Sequence, residues 1–288
     1  NDNFFEFHLN KENNSFDWIE NYPNIEELVI YIETVSDVEI RKLKSISKLK
    51  YLDKLTIYTR ENVSITNEAF GFLKDCNLLR SLIIDGPSIE EGILESITQL
   101  RYLSLNLFNH VFNNVDTDFN KLLFLEELNF KESAPYNIPM WVDSKSYNFL
   151  RKNGVLISSD IPGTIEILEK VNDKLDAIVC SLNIEDSESD KEKLDKILIY
   201  VMESLEYDKE IASIDLSEEN WPVEKARKFY ENGFLYGALE KDSAICGNYA
   251  ALFMALCRRC NIKSYCLCNS KHAWNMVEID DNNYFTDS

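Results

Sequence analysis

Leu79-Arg80-Ser81-Leu82-Ile83-Ile84 is one copy of a pattern, Leu-x-x-Leu-x-Ile, that recurs along the first half of the chain. The other copies are Ile25-x-x-Leu28-x-Ile30, Leu52-x-x-Leu55-x-Ile57, Leu100-x-x-Leu103-x-Leu105 and Leu125-x-x-Leu128-x-Phe130. Their middle apolar positions lie 27, 27, 21 and 25 residues apart, and a looser sixth copy runs from Leu150 to Ile157. Within each copy apolar residues alternate, which predicts a short strand with one buried face. The stretches between copies, such as 39–49 and 89–100, carry apolar residues at helical spacing. One such unit cannot bury its own apolar face, so neighbouring units must stack.

The pattern resembles a leucine-rich-repeat array, whose units are about 20–29 residues long. It departs from that family in one respect. The Asn usually found five residues after the middle Leu is replaced by Glu33, Arg60, Pro87, Phe108 and Ser133. The backbone ladder supplied by that Asn must be made otherwise, and an irregular solenoid is expected. Such arrays commonly bind proteins on the strand face. Here that face would present Val29 and Tyr31, Thr56 and Tyr58, Ile83 and Asp85, Ser104 and Asn106, and Asn129 and Lys131.

The repeat ends near Ser158-Ser159-Asp160-Ile161-Pro162-Gly163, where Pro and Gly together mark a boundary. This divides the chain into a repeat domain, 1–160, and a second domain, 161–288. A helix with Leu168, Val171, Leu175 and Ile178 on one face opens the second domain. Ser189-Asp190-Lys191-Glu192 reads as a capping box and starts a helix with Leu194, Ile197, Val201 and Leu205 on one stripe. Trp221-Pro222 starts another short helix, with Pro at its first position.

Chemistry concentrates near the end of the chain. Cys246 opens a helix on which Tyr249, Phe253, Cys257 and Cys260 share a face, and Asn261 suits its left-handed stop. Residues 264–268 and 272–279 read as strands, Asp280–Asn283 as turn chemistry, and 284–287 as the returning strand. His272, Trp274 and Met276 then share one strand face. With Asp280 and Asp281 as a two-residue turn, Asp287 stands opposite Trp274 and diagonal to His272; a three-residue turn would break that parity. A thiol, an imidazole and a carboxylate so placed are the parts of an acyl-transferring site. Only the thiolate attacks, and a helix N-terminus stabilises it. The imidazole takes the proton, and the carboxylate fixes the imidazole's tautomer. The N–H of Cys246 is one oxyanion donor. Tyr236 is a weaker candidate for the second.

Tyr236-Gly237-Ala238-Leu239, Cys246-Gly247-Asn248-Tyr249-Ala250, His272-Ala273-Trp274-Asn275 and Tyr284-x-x-Asp287 resemble the transglutaminase-like superfamily, a branch of the papain-like cysteine fold. The likeness covers roughly Ser189 to Ser288 and includes Leu205-Glu206-Tyr207-Asp208. It implies Cys246 as nucleophile, His272 as general base and acid, and Asp287 as the orienting group. The family's usual Cys-x-Gly-Tyr-Ala is here Cys-Gly-Asn-Tyr-Ala, and the residues that usually follow the Asp run past Ser288.

Cys257-x-x-Cys260 and Cys266-x-Cys268 invite a zinc reading, but the resemblance makes these positions apolar and the gap is short for a common zinc module. No metal or cofactor is expected, and Cys76 and Cys180 are expected in the core. Seven cysteines, an odd count, suit a reduced cytoplasmic setting. A net charge of −20 argues against nucleic acid and anionic membrane as partners. No apolar run is long enough to span a bilayer. The chain opens on Asn1 rather than Met, so a missing leader carries no weight. The expected fold is α/β plus α+β: a leucine-rich-repeat solenoid followed by a transglutaminase-like domain. The expected function is amide acyl transfer on a protein or peptide substrate recruited by the repeats. The alternative is a non-catalytic interaction protein built from the same parts.

Overall fold

A computed structural model describes residues 3–33, 40–60, 63, 65–86, 89–90, 92–107, 119–130, 144–160, 162–185, 187–212, 234–241, 243–269 and 272–287. The fold is mixed α/β and divides into two compact units, Asn1–Glu132 with Ser146–Asp160, and Ser133–Lys145 with Ile161–Ser288, so the division is not the single cut at 160/161 expected from the sequence. The expected helix at Trp221-Pro222 and the positions Lys131, Pro87, Phe108 and Ser133 lie outside the described residues.

The first unit is a seven-stranded parallel sheet whose strand order equals chain order. Its strands are β1 (Phe4–Leu9), β2 (Glu27–Ile32), β3 (Lys54–Thr59), β4 (Ser81–Gly86), β5 (Tyr102–Leu107), β6 (Glu127–Phe130) and β7 (Leu156–Ser159). Register is in phase with the sequence repeat: Leu28, Leu55, Leu82, Leu103 and Leu128 pair in one row, and Ile30, Ile57, Ile84, Leu105 and Phe130 in the next. Every one of these side chains is buried. The leading residues Ile25, Leu52, Leu79, Leu100 and Leu125 form a third buried row. At roughly 1.5–3 kcal/mol for each fully buried side chain, these rows are the main stabilising term of the unit. Backbone bonding extends beyond the strands, from Asp53 N–H to Glu26 O, Arg80 to Asp53, Arg101 to Arg80 and Glu126 to Arg101, at 2.7–2.9 Å.

Two details differ from the sequence reading. β1 carries no Leu-x-x-Leu-x-Ile motif; Phe7 and Leu9 provide its buried face instead. The connections expected as helices are mainly tight 3-10 turns, Arg41–Lys48, Gly71–Asp75, Leu94–Ser96 and Phe119–Lys121. Strands repeating every 21–27 residues leave little length between them, and a 3-10 turn aims the apolar residues at the sheet in fewer residues than an α-helix.

The second unit is built around one buried helix. Its helices include α1 (Thr164–Ser181), α2 (Asp190–Ser204), α3 (Phe234–Glu240) and α4 (Cys246–Arg259). The capping box at Ser189 is made as expected: Glu192 N–H donates to the Ser189 hydroxyl, and Ser189 N–H to the Glu192 carboxylate. On α4 every residue from Ala250 to Cys257 is buried, so the expected single apolar stripe understates it: the helix is surrounded. It packs against α1, α2, α3 and the strands β10 (Lys263–Cys268) and β11 (Ala273–Ile279). β12 (Asn282–Thr286) completes an antiparallel sheet in the order β10-β11-β12, and a two-residue parallel pair joins β8 (Glu206–Tyr207) to β9 (Ser243–Ala244). Cys76 is buried as expected, whereas Cys180, in the last turn of α1, is exposed. All seven cysteines are free thiols. No described helix is long and apolar enough to cross a membrane.

Candidate active site

Cys246 is the first residue of α4, where its half-buried thiol sits beside the helix's unsatisfied N–H groups. The start of the helix is fixed by Asn248, which is buried and accepts a hydrogen bond from Ile245 N–H at 3.0 Å. No acidic side chain occupies the first turn, while Arg258 and Arg259 occupy the last, so the helix dipole is left to act on the thiol unopposed. Tyr249, one turn on, donates its hydroxyl to Leu205 O at 2.9 Å and ties this end of the helix to the segment before β8.

His272 and Asp287 come together on the sheet. Asp280 and Asp281 both have positive φ, 50° and 61°, which makes a two-residue hairpin turn of the type that matches strand twist. Ile279 therefore pairs with Asn282 and Asn275 with Thr286. One further step of that register places Asp287 opposite Trp274. His272 Nε2 and Asp287 Oδ1 are 2.8 Å apart. Both groups are substantially exposed, 43% and 67%, so the pair is bathed by solvent and its geometry matters more than its energy. Ala273, Asn275 and Val277 are buried on the opposite strand face from His272 and Trp274. No hydrogen bond joins Cys246 to His272 among the described residues.

Four residues make positioning contacts that the sequence reading did not assign to them. Asn269 holds His272 reciprocally: His272 N–H donates to Asn269 Oδ1 at 2.9 Å, and Asn269 N–H donates to His272 O at 2.9 Å. Trp274 stacks against the imidazole, with ring centroids 6.0 Å apart and planes at 22°. Asn275 is fully buried and donates to Ala250 O at 3.0 Å, fastening the first turns of α4 to β11. Asn248 is the fourth. An Asn in a strand otherwise lined with apolar residues was the available signal for Asn275, because a buried amide requires a partner. Tyr236, the weaker oxyanion candidate, lies half-buried in α3.

The remaining cysteines of this unit differ from Cys246. Cys257, Cys260 and Cys266 are buried. Burial pushes the Cys266 thiol up to about 12, and the nearby thiols of Cys268 and Cys246 add to the effect. Burial likewise pushes the thiols of Cys257 and Cys260 up. All three stay protonated at neutral pH and pack as small apolar side chains. Among the described residues no group of three His, Cys, Asp or Glu is placed to hold a metal ion.

Residues 181–286 match the model of the transglutaminase-like superfamily. This stretch is a transglutaminase-like domain, of a superfamily whose members are typically cysteine-dependent acyltransferases or proteases. The match includes Cys246 and His272 and stops one residue before Asp287. A search of curated proteins found no match to the chain.

Proposed function

We propose that the chain is a cysteine-dependent amide acyl-transfer enzyme with Cys246 as nucleophile, His272 as general base and acid, and Asp287 as orienting group. The observation that carries this reading is the 2.8 Å pairing of His272 Nε2 with Asp287, in a domain of this superfamily whose Cys246 begins a buried helix. With Nε2 held by the carboxylate, Nδ1 is the nitrogen left to take the thiol proton. The thiolate adds to an amide carbonyl, and the N–H of Cys246 at the helix start steadies the oxyanion. His272 then returns the proton to the departing amine, leaving a thioester at Cys246. Water completes hydrolysis; an amine completes transamidation. Hydrolysis of a peptide or glutamine amide is the preferred outcome.

The first unit is read as a leucine-rich-repeat-like array, domain 1–160, that recruits a protein substrate for the domain at 161–288. Support comes from the in-phase rows of Leu and Ile and from the strand order of the sheet.

A thiol-reactive probe at neutral pH tests the catalytic reading. Cys246 should label fastest, ahead of buried Cys257 and Cys266, and His272→Ala should slow it by roughly 10²-fold or more. Labelling of Cys246 no faster than that of exposed Cys180, and indifferent to His272→Ala, would leave a pseudoenzyme. With a glutamine-bearing protein and a labelled amine, incorporation marks transamidation and fragments mark proteolysis.

A further inference from the structure

On the sheet face opposite the leucine rows, Tyr31 and Tyr58 pair in register on β2 and β3. Their rings stack, with centroids 4.8 Å apart and planes at 11°. His8 on β1 extends the stack, 4.5 Å from Tyr31 and tilted by 15°. These separations match the roughly 4.8 Å between neighbouring strands. The three rings therefore stand upright in one row across the sheet.

The next residues in that row are Asp85 on β4, paired with Tyr58, and Asn106 on β5, paired with Asp85. Asn106 Nδ2 donates to Asp85 Oδ2 at 3.0 Å, which fixes the carboxylate. An Asp side chain is much shorter than a Tyr, so the row steps down here. Tyr58 is thus paired on this side with a side chain too short to cover its ring. A carboxylate has about four lone-pair sites, so both oxygens can accept further bonds.

The other end of the row shows what such a step can hold. There a planar, nitrogen-bearing ring, His8, lies on Tyr31, with Nε2 3.1 Å from Glu6 and Nδ1 3.9 Å from Glu33. Among the described residues no Lys, Arg or His pairs with Asp85. The pKa of the Tyr31 hydroxyl is raised, first by desolvation and then by the charge on Glu6 and by Tyr58.

We propose that the notch formed by Tyr58, Asp85 and Asn106 binds an arginine side chain of a partner protein. The guanidinium stacks on Tyr58 as the fourth plane of the row and donates two hydrogen bonds to Asp85. Arginine fits better than lysine because its flat, forked head can stack and bond at once. A net charge of −20 draws cationic segments to the chain. The proposal rests on reading this sheet face as the recruiting surface, and not on any chemistry at Cys246.

The test uses the full chain and a fluorescein-labelled peptide of alternating Gly and Ser with one central Arg, beside a twin with Lys. The arginine peptide should bind several-fold more tightly than the twin. Asp85→Asn, which is isosteric, and Tyr58→Leu should each weaken it by about tenfold, a stacked or charge-assisted contact being worth about 1–2 kcal/mol. Tyr58→Phe should keep the affinity, and Glu126→Gln, a carboxylate elsewhere on the unit, should leave it unchanged. Equal binding of the two peptides overturns the proposal, and so does unchanged binding by Asp85→Asn. Cys246 labelling is followed in the same samples: its absence sinks the catalytic reading alone, and lost peptide selectivity sinks this one alone.

Discussion

Leu82 and Phe253 are both fully buried, but they are buried by different kinds of surroundings. Leu82 sits in a row between Leu55 and Leu103, each one strand away. Phe253 sits on a helix that helices and strands of the second unit surround. The first unit spreads its core along a line, and a defect there is felt by neighbouring strands. The second gathers its core around α4, and a defect there is felt by everything that touches the helix. The same helix carries Cys246, half-buried, at its N-terminal end. The C-terminal architecture holds Cys246, the proposed nucleophile, at the start of a buried helix, whereas the N-terminal one presents a long face of repeated positions.

The sharpest way to break this comparison is Phe253→Ala. It should cost about 3–5 kcal/mol and lower hydrogen-exchange protection throughout α1, α2, α4 and β11 together. Protection lost only near residue 253 would contradict the centred core. Leu82→Ala should cost about 2–5 kcal/mol, with protection falling most in β3, β4 and β5 and least in β1 and β7. A uniform loss across all seven strands would mean that the sheet is not a nearest-neighbour array.

A smaller probe is Gly86→Ala at the end of β4. A methyl group there collides with the Thr59 hydroxyl on the neighbouring strand. Overpacking of this kind costs about 1–3 kcal/mol, and a urea titration of Gly86→Ala with and without Thr59→Ala should show the cost relieved in the double variant. The smallest expected change is Ser189→Ala at the start of α2, where loss of a cap costs about 0.5–2 kcal/mol. The Ser189 hydroxyl and backbone N–H hold the Glu192 carboxyl below its ordinary range. A depressed folded value means that this support is present above the unfolded pKa and lost as pH falls through the folded one. The Tm difference between Ser189→Ala and the parent should therefore narrow on acidification.

The rows of the first unit were readable because each Leu-x-Ile pair alternates and the copies share one phase. β1 was not, since Phe5, Phe7 and Leu9 alternate with Glu6 and His8 without the leucine signature. The stack of His8, Tyr31 and Tyr58 was also hidden. Tyr31 and Tyr58 could be placed on the outward face, but their contact depends on lateral pairing of strands 27 residues apart in sequence. In the second unit the hairpin parity followed from two acidic turn residues, and so His272 and Asp287 could be placed on one face. The parts played by Asn248 and Asn269 escaped because they involve hydrogen bonds to backbone, which periodicity does not report. Cys180 was misplaced because an apolar neighbourhood in sequence, at the last turn of a helix, need not face the core.

Strand order equal to chain order has an evolutionary consequence. Duplicating one stretch of 21–27 residues would add a strand beside its parent, with no crossing of the chain and no rerouting of the connections on either side. The sheet can therefore be lengthened or shortened by recombination, one module at a time. Each added module would bring two new outward positions, so the outer face of the array can vary at a pace set by gene duplication, independently of the proposed site at Cys246, His272 and Asp287.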